Sequence, residues 1–234
     1  MTNTKALVLS KIDYQENDHI IKVFSPEYGI LSFISKGTKK SKSKNNYNLN
    51  PFSNVIISFE YKENKTLFRL IKAETIDYYY YKDLLVLSLM NVMAELIENI
   101  AYDNFNEYYK LILFCLAKIE DNPYLITAFF IAKCLALAGL KPEVNHCIVT
   151  KVKKVAGINY LKGGFVSHPY LDEFPLLSKE ELLKFRYLNL VEYDQLASLY
   201  NLDYNYYDLK RISDFLTVQS SIVLKSMDFL KFLD

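Results

Sequence analysis

The sequence is poor in several things that would mark particular classes of protein. It has no tryptophan and only three cysteines, Cys115, Cys134 and Cys147, an odd number at wide spacing. That excludes a disulfide framework and points to a reducing compartment, so the expected location is the cytoplasm. No run of apolar residues near MTNTKALVLSKIDY is long enough for a signal peptide. The longest apolar stretch, Tyr124 to Leu140, is interrupted by Thr127 and Lys133 and reads as a buried core helix rather than a membrane span. No GxGxxG, P-loop, HExxH or GxSxG pattern occurs, and His19, His146 and His168 are not spaced as a helical metal pair, so no enzyme class is indicated. Cys147 follows His146 directly, but neighbours on an extended segment face opposite ways and are badly placed to act on each other.

A large excess of one charge is also missing, since the net charge is +1. The balance hides a polarity: residues 1 to 80 hold 12 Lys/Arg and 8 Asp/Glu, and the remainder 16 and 19. What is abundant is apolar material, 51% of the chain, enough to build a core and to exclude a disordered polypeptide. Twenty tyrosines, with many lysines and asparagines, fit an AT-rich coding bias, so aromatic abundance alone does not indicate a stacking surface.

The pattern predicts an α+β chain. Five strand-like segments, Lys5 to Asp13, His19 to Phe24, Ile30 to Lys36, Asn54 to Tyr61 and Thr66 to Thr75, are separated by short breaks except for a long polar connection from Gly37 to Phe52. That layout suits a five-stranded OB-fold barrel over 1–80; an SH3-like barrel would read similarly. Helical periodicity follows at Leu84 to Ala101, Phe105 to Ile119 and Pro123 to Ala138, and returns near the end with Ile212, Phe215, Leu216, Ile222, Val223, Leu230 and Leu233. A helical bundle is therefore expected over 81–142 and 176–234. Between its parts lies an irregular lobe, 143–175, with β-like runs at Ile148 to Val155 and Gly164 to Ser167.

Lys36-Gly37-Thr38-Lys39-Lys40-Ser41-Lys42-Ser43-Lys44 places five lysines in nine residues on the long barrel connection, where nucleic-acid phosphates would displace their counterions. A solvated loop without a partner is the plainer reading of such a run. Its place on a barrel favours DNA contacts by Lys36, Lys39, Lys40, Lys42 and Lys44, with Tyr14, Phe33, Tyr47 and Phe52 as nearby stacking candidates, of which Phe33 and Phe52 fit a core role better. The lobe has the outline of a zinc hairpin without its ligands. Cys147 is followed three residues on by Thr150, and Ser167 and Tyr170 stand in the second turn, so no metal site is expected.

These strings together resemble the RecO family of recombination mediators. Asp13-Tyr14-Gln15-Glu16-Asn17-Asp18 is similar to that family's acidic turn after the first strand, and Phe24 with Gly29 to the Phe-x-x-x-x-Gly that follows. Lys36-Gly37-Thr38-Lys39-Lys40 is similar to its Lys-Gly-x-Arg-Arg, with lysines for both arginines, and Leu49-Asn50-Pro51-Phe52 to its Leu-Gln-Pro-Phe. Ala138-Gly139-Leu140, His146-Cys147 and Gly163-Gly164-Phe165 continue the order. The resemblance implies a non-enzymatic protein that binds single- and double-stranded DNA, anneals complementary strands, joins RecR and engages the acidic C-terminal tail of single-strand binding protein to load RecA. The zinc hairpin of that family is degenerate here because the ligand cysteines are absent, so no cofactor is expected. Lys133, the only charge in its apolar segment, with Phe129 and Phe130, is the candidate for the partner tail; a lysine that snorkels to solvent on an exposed edge is the plainer reading. The competing classes are a protein-interaction adaptor and an RNA-binding module.

Overall fold

The computed structural model describes residues 1–39, 43–100 and 103–233. The chain divides into two compact units, Met1–Lys82 with Ile97–Leu113, and Asp83–Leu96 with Phe114–Asp234.

In the first unit, five strands close into a barrel in the order β1-β2-β3-β5-β4, which is the expected OB-type α+β architecture: β1 Thr2–Tyr14, β2 Asp18–Ser25, β3 Gly29–Ser35, β4 Ser53–Phe59 and β5 Leu67–Tyr78. The cause is legible in β3, whose residues alternate strictly between buried and half-exposed. β1 pairs with both β2 and β4, and a register shift between Val8 and Ser10 supplies the bend this requires. Closure comes from a short parallel seam in which Ser32, Phe33 and Ile34 face Leu67, Phe68 and Arg69. Val8, Ile21, Val23, Phe33, Val55, Ile57, Phe59 and Phe68 fill the interior. Leu49, just after the short helix α1 (Lys44–Asn48), enters the same core.

This unit reaches beyond residue 80, the expected limit of the barrel. It takes in the end of α2 (Leu84–Ile100) and most of α3 (Phe105–Leu116) because their side chains bond barrel residues. Tyr109 donates its hydroxyl to Asn54 Oδ1 at 2.5 Å, and Lys22 pairs with Glu98 at 2.7 Å. The Phe105 ring meets Phe24 edge-on at 6.3 Å and lies 2.8 Å from where a Cβ on Gly29 would sit. Gly29 also has φ +67°, so both the turn and the close approach require glycine there.

In the second unit α4 (Pro123–Leu137) is buried nearly all round and packs against α5 (Lys179–Leu190) and α6 (Tyr206–Ser220). Asn122 caps α4, Pro123 opens it, and Gly139 at φ +74° follows its end, as the sequence predicts. The C-terminal pattern is interrupted: Ser221 at φ +62° stops α6, leaving Val223 63% exposed. The chain then turns into α7 (Met227–Leu230), where the Glu95 carboxylate accepts from Lys225 N–H and Ser226 N–H, each at 2.9 Å.

The lobe contains a two-stranded sheet, β6 Gly157–Asn159 with β7 Gly164–Val166. The run Ile148 to Val155 is not β structure, contrary to expectation. Lys151 N–H bonds Cys147 O and Cys147 N–H bonds Val152 O, both at 2.8 Å, which folds the segment into a tight turn. Among the described residues, no helix is long and apolar enough to cross a membrane.

Candidate nucleic-acid interface

The lysine-rich connection leaves β3 at a point fixed by the turn between β1 and β2. Gly37, at φ +67°, donates its N–H to Asp18 Oδ1 at 2.8 Å. Thr38 is fully buried: its hydroxyl lies 2.8 Å from His19 Nδ1 and donates to Ser35 O at 2.8 Å. Lys39 N–H bonds Asn17 O at 3.1 Å, and Lys39 Nζ meets Asp13 Oδ2 at 3.1 Å and Gln15 O at 3.2 Å. Asp13 Oδ1 in turn faces His19 Nε2 at 3.2 Å. The acidic turn and the Lys-Gly-Thr-Lys string are thus two halves of one latch, in which nearly every residue has a partner.

Charge states follow from this packing. The hydrogen bond from Lys39 holds Asp13 below the usual carboxylate range despite some desolvation. Burial, followed by the nearby Lys11 charge, lowers His19 below the ordinary imidazole value, which leaves the ring neutral at pH 7. Lys11 itself is lowered by burial and anchors α1, donating to Asn46 Oδ1 at 2.7 Å and Asn46 O at 3.1 Å.

The proposed DNA residues therefore separate. Lys36 is exposed at the start of the loop, whereas Lys39 is committed to Asp13. Lys40 and Lys42 lie outside the described residues, as does the side chain of Lys44, the first residue of α1. Tyr14 is 37% exposed at the end of β1, and Tyr47, on α1, is 73% exposed. Phe33 and Phe52 are core residues.

The tail candidates sit differently. Phe129 and Phe130 have no exposed surface. Lys133 pairs with Glu192 at 3.1 Å and lies 5.4 Å from the Phe129 ring centroid and 5.7 Å from that of Tyr193, so burial of the ammonium is compensated within the unit. Elsewhere in the second unit a groove of about 380 Å³ combines Lys153, Lys154, Lys179 and Arg186 with Val155, Phe165 and Leu182. Arg186 Nε is buried there without a hydrogen-bond partner. The groove could not be read from sequence because its cations come from separate segments.

The hairpin donors do not fit zinc. Cys147 Sγ accepts from Ser167 N–H at 3.3 Å and from Thr150 N–H and Ser167 Oγ at 3.5 Å, so hydrogen-bond donors stand where further metal ligands would be needed. His146 Nδ1 faces Glu143 Oε1 at 3.5 Å instead. Among the described residues no group of three or more His, Cys, Asp or Glu could hold a metal ion. Burial pushes the Cys147 thiol up, but those hydrogen bonds outweigh it and set it at about 6. Burial pushes Cys115 and Cys134 up.

The family described as recombination protein O N terminal matches residues 1–79, and recombination protein O C terminal matches residues 81–217. A protein called DNA repair protein RecO from Mesoplasma florum is 31% identical over 160 residues, 61% of this chain and 56% of that protein. One of the same name from Geobacter metallireducens is 26% identical over 150 residues, 62% of each. A third, from Lactobacillus acidophilus, is 25% identical over 172 residues, 71% of this chain and 69% of that protein. With both halves matched in order on a closed barrel followed by helices, the chain belongs to the RecO family.

Proposed function

We propose that this protein is a DNA-binding recombination mediator that acts without catalysis in cytoplasmic DNA repair. The observation that carries this reading is the latch: three side chains of the acidic turn hold Gly37, Thr38 and Lys39 at the start of the lysine-rich run. Annealing requires two strands held close while their bases stay free to pair, and phosphate contact without base readout is sufficient for that. Single- and double-stranded DNA are both suitable ligands. The proposal extends to joining RecR and loading RecA on DNA coated by single-strand binding protein, as the resemblance to the RecO family implies. Lysine in place of arginine keeps the charge and loses the bidentate fork, which suits contact without fixed geometry.

For the acidic tail of single-strand binding protein, the groove at Lys153, Lys154, Lys179 and Arg186 offers a cationic rim and an apolar floor, whereas Phe129 and Phe130 are enclosed. No zinc or other cofactor takes part. The test is annealing of complementary oligonucleotides precoated with the cognate single-strand binding protein. Accelerated duplex formation is expected, and a protein that leaves the spontaneous rate unchanged is an adaptor instead. Competition with matched RNA distinguishes the RNA-binding alternative, in which RNA would displace the DNA.

A further inference from the structure

The connection from β4 to β5, Glu60 to Thr66, turns at Asn64 with φ +66° and carries a Lys65 N–H to Lys62 O bond of 3.3 Å. At its base the aromatic interior of the barrel reaches the surface. Phe33, Phe59 and Phe68 are buried against one another. Tyr61 stacks on Phe68 with centroids 5.7 Å apart and planes at 19°, and Tyr28 lies against it at 5.3 Å. Tyr61 is nevertheless 47% exposed. An aromatic ring braced in this way gives up little further freedom when a ligand covers it.

Beside it is a cleft of about 420 Å³ lined by Glu60, Lys62, Lys65, Phe68, Arg69 and Ile71. Among the described residues, Lys62, Lys65 and Arg69 form no ion pair. β5 points Phe68 and Leu70 inward and leaves Leu67, Arg69 and Ile71 outward. It runs parallel to β3 with Arg69 opposite Ile34, and one residue after Ile34 β3 ends, where exposed Lys36 begins the lysine loop. From Leu67 to Ile71 the strand advances only ~13 Å. The cleft and the start of the loop therefore lie along one short strand pair.

We propose that this surface is a second nucleic-acid subsite, where an unpaired base stacks on Tyr61, Lys62, Lys65 and Arg69 hold the adjoining phosphates, and the strand continues along β3–β5 to Lys36. The proposal rests on the DNA-binding reading above. Single-stranded nucleic acid is the occupant that uses both features, since the ring offers a face to any base and the cations track a backbone. Bases in a duplex are already stacked and cannot reach the ring.

The test measures fluorescence anisotropy of labelled oligothymidine, and of an abasic strand of equal length, against salt. Tyr61→Ala is expected to weaken oligothymidine binding roughly tenfold and to leave the abasic strand unaffected, while Tyr61→Phe binds as wild type. Combined Lys62→Ala, Lys65→Ala and Arg69→Ala should lower the slope of log K against log salt by about 2 on both strands. Oligothymidine affinity unchanged by Tyr61→Ala, or a slope unchanged by the triple variant, overturns the subsite. If wild type binds neither strand, the DNA-binding reading falls and the subsite with it; if wild type binds and the lysine loop alone matters, only the subsite falls.

Discussion

Two turns in this protein are held from the side by a few residues, and they are held by opposite means. The loop at Lys36 to Lys39 is fixed by hydrogen bonds and an ion pair from Asp13, Asp18 and His19. The turn at Cys147 to Val152 is fixed around one buried sulfur, with Val166 and Leu171 packed beside it and Ile148, Val155 and Tyr170 partly buried against them. In the first, Asp13, Asp18 and His19 from the acidic turn bond Lys39, Gly37 and Thr38 from the other string. In the second, Thr150 and Ser167 donate hydrogen bonds to the sulfur, and an apolar cluster is packed around it. One turn is thus held by polar contacts beside an exposed loop, and the other by packing around a buried thiol.

The contrast can be broken most forcefully in the lobe. Leu171→Ala is expected to cost about 2–4 kcal/mol in a denaturant melt, the usual range for a truncated core leucine, and added zinc should restore none of it. A return of stability with zinc, or about one zinc per chain after purification without chelators, would show that the lobe is metal-held. In the latch, Thr38→Val removes a hydroxyl that serves both His19 and Ser35 O, so a loss of ~1–3 kcal/mol is expected. A melt identical to wild type would mean that the latch does not order the loop.

Acid should act in the same direction on the latch. Asp13 and His19 both have lowered values in the fold, so their contributions are complete above the unfolded values of 3.8 and 6.5 and are lost as pH falls through the folded ones. Protection of the Gly37 and Lys39 amides, measured against the intrinsic exchange rate at each pH, should therefore fall as pH drops below the unfolded value of His19, and protection that stays constant there contradicts the arrangement. The smallest effect is spectroscopic. Thiolate absorbance should rise with a midpoint near 6 from Cys147 and vanish in Cys147→Ser, while Cys115 and Cys134 remain thiols at neutral pH.

The barrel strands, the capped α4 and the lysine run were legible because each depends on neighbours in sequence, as in the alternation of β3 or the Asn122-Pro123 start of a helix. The latch was visible only as two separate strings, since nothing local says that Asp13 meets Lys39 across 26 residues. The pairing of Lys133 was hidden for the same reason: its partner Glu192 lies 59 residues away. The aromatic ledge at Tyr61 was hidden by abundance. With 20 tyrosines in the chain, only packing on Phe68 and Tyr28 distinguishes this one.

The central claim is that the loop starting at Lys36 carries phosphate contacts. It is tested most directly by measuring the affinity for single-stranded DNA over a range of salt concentrations, for wild type and for the variant with Lys36, Lys40, Lys42 and Lys44 all replaced by alanine. Four contacts at about 0.7 each predict that the slope of log K against log salt becomes shallower by roughly 3. A variant with the wild-type slope would contradict the account and place the DNA surface elsewhere.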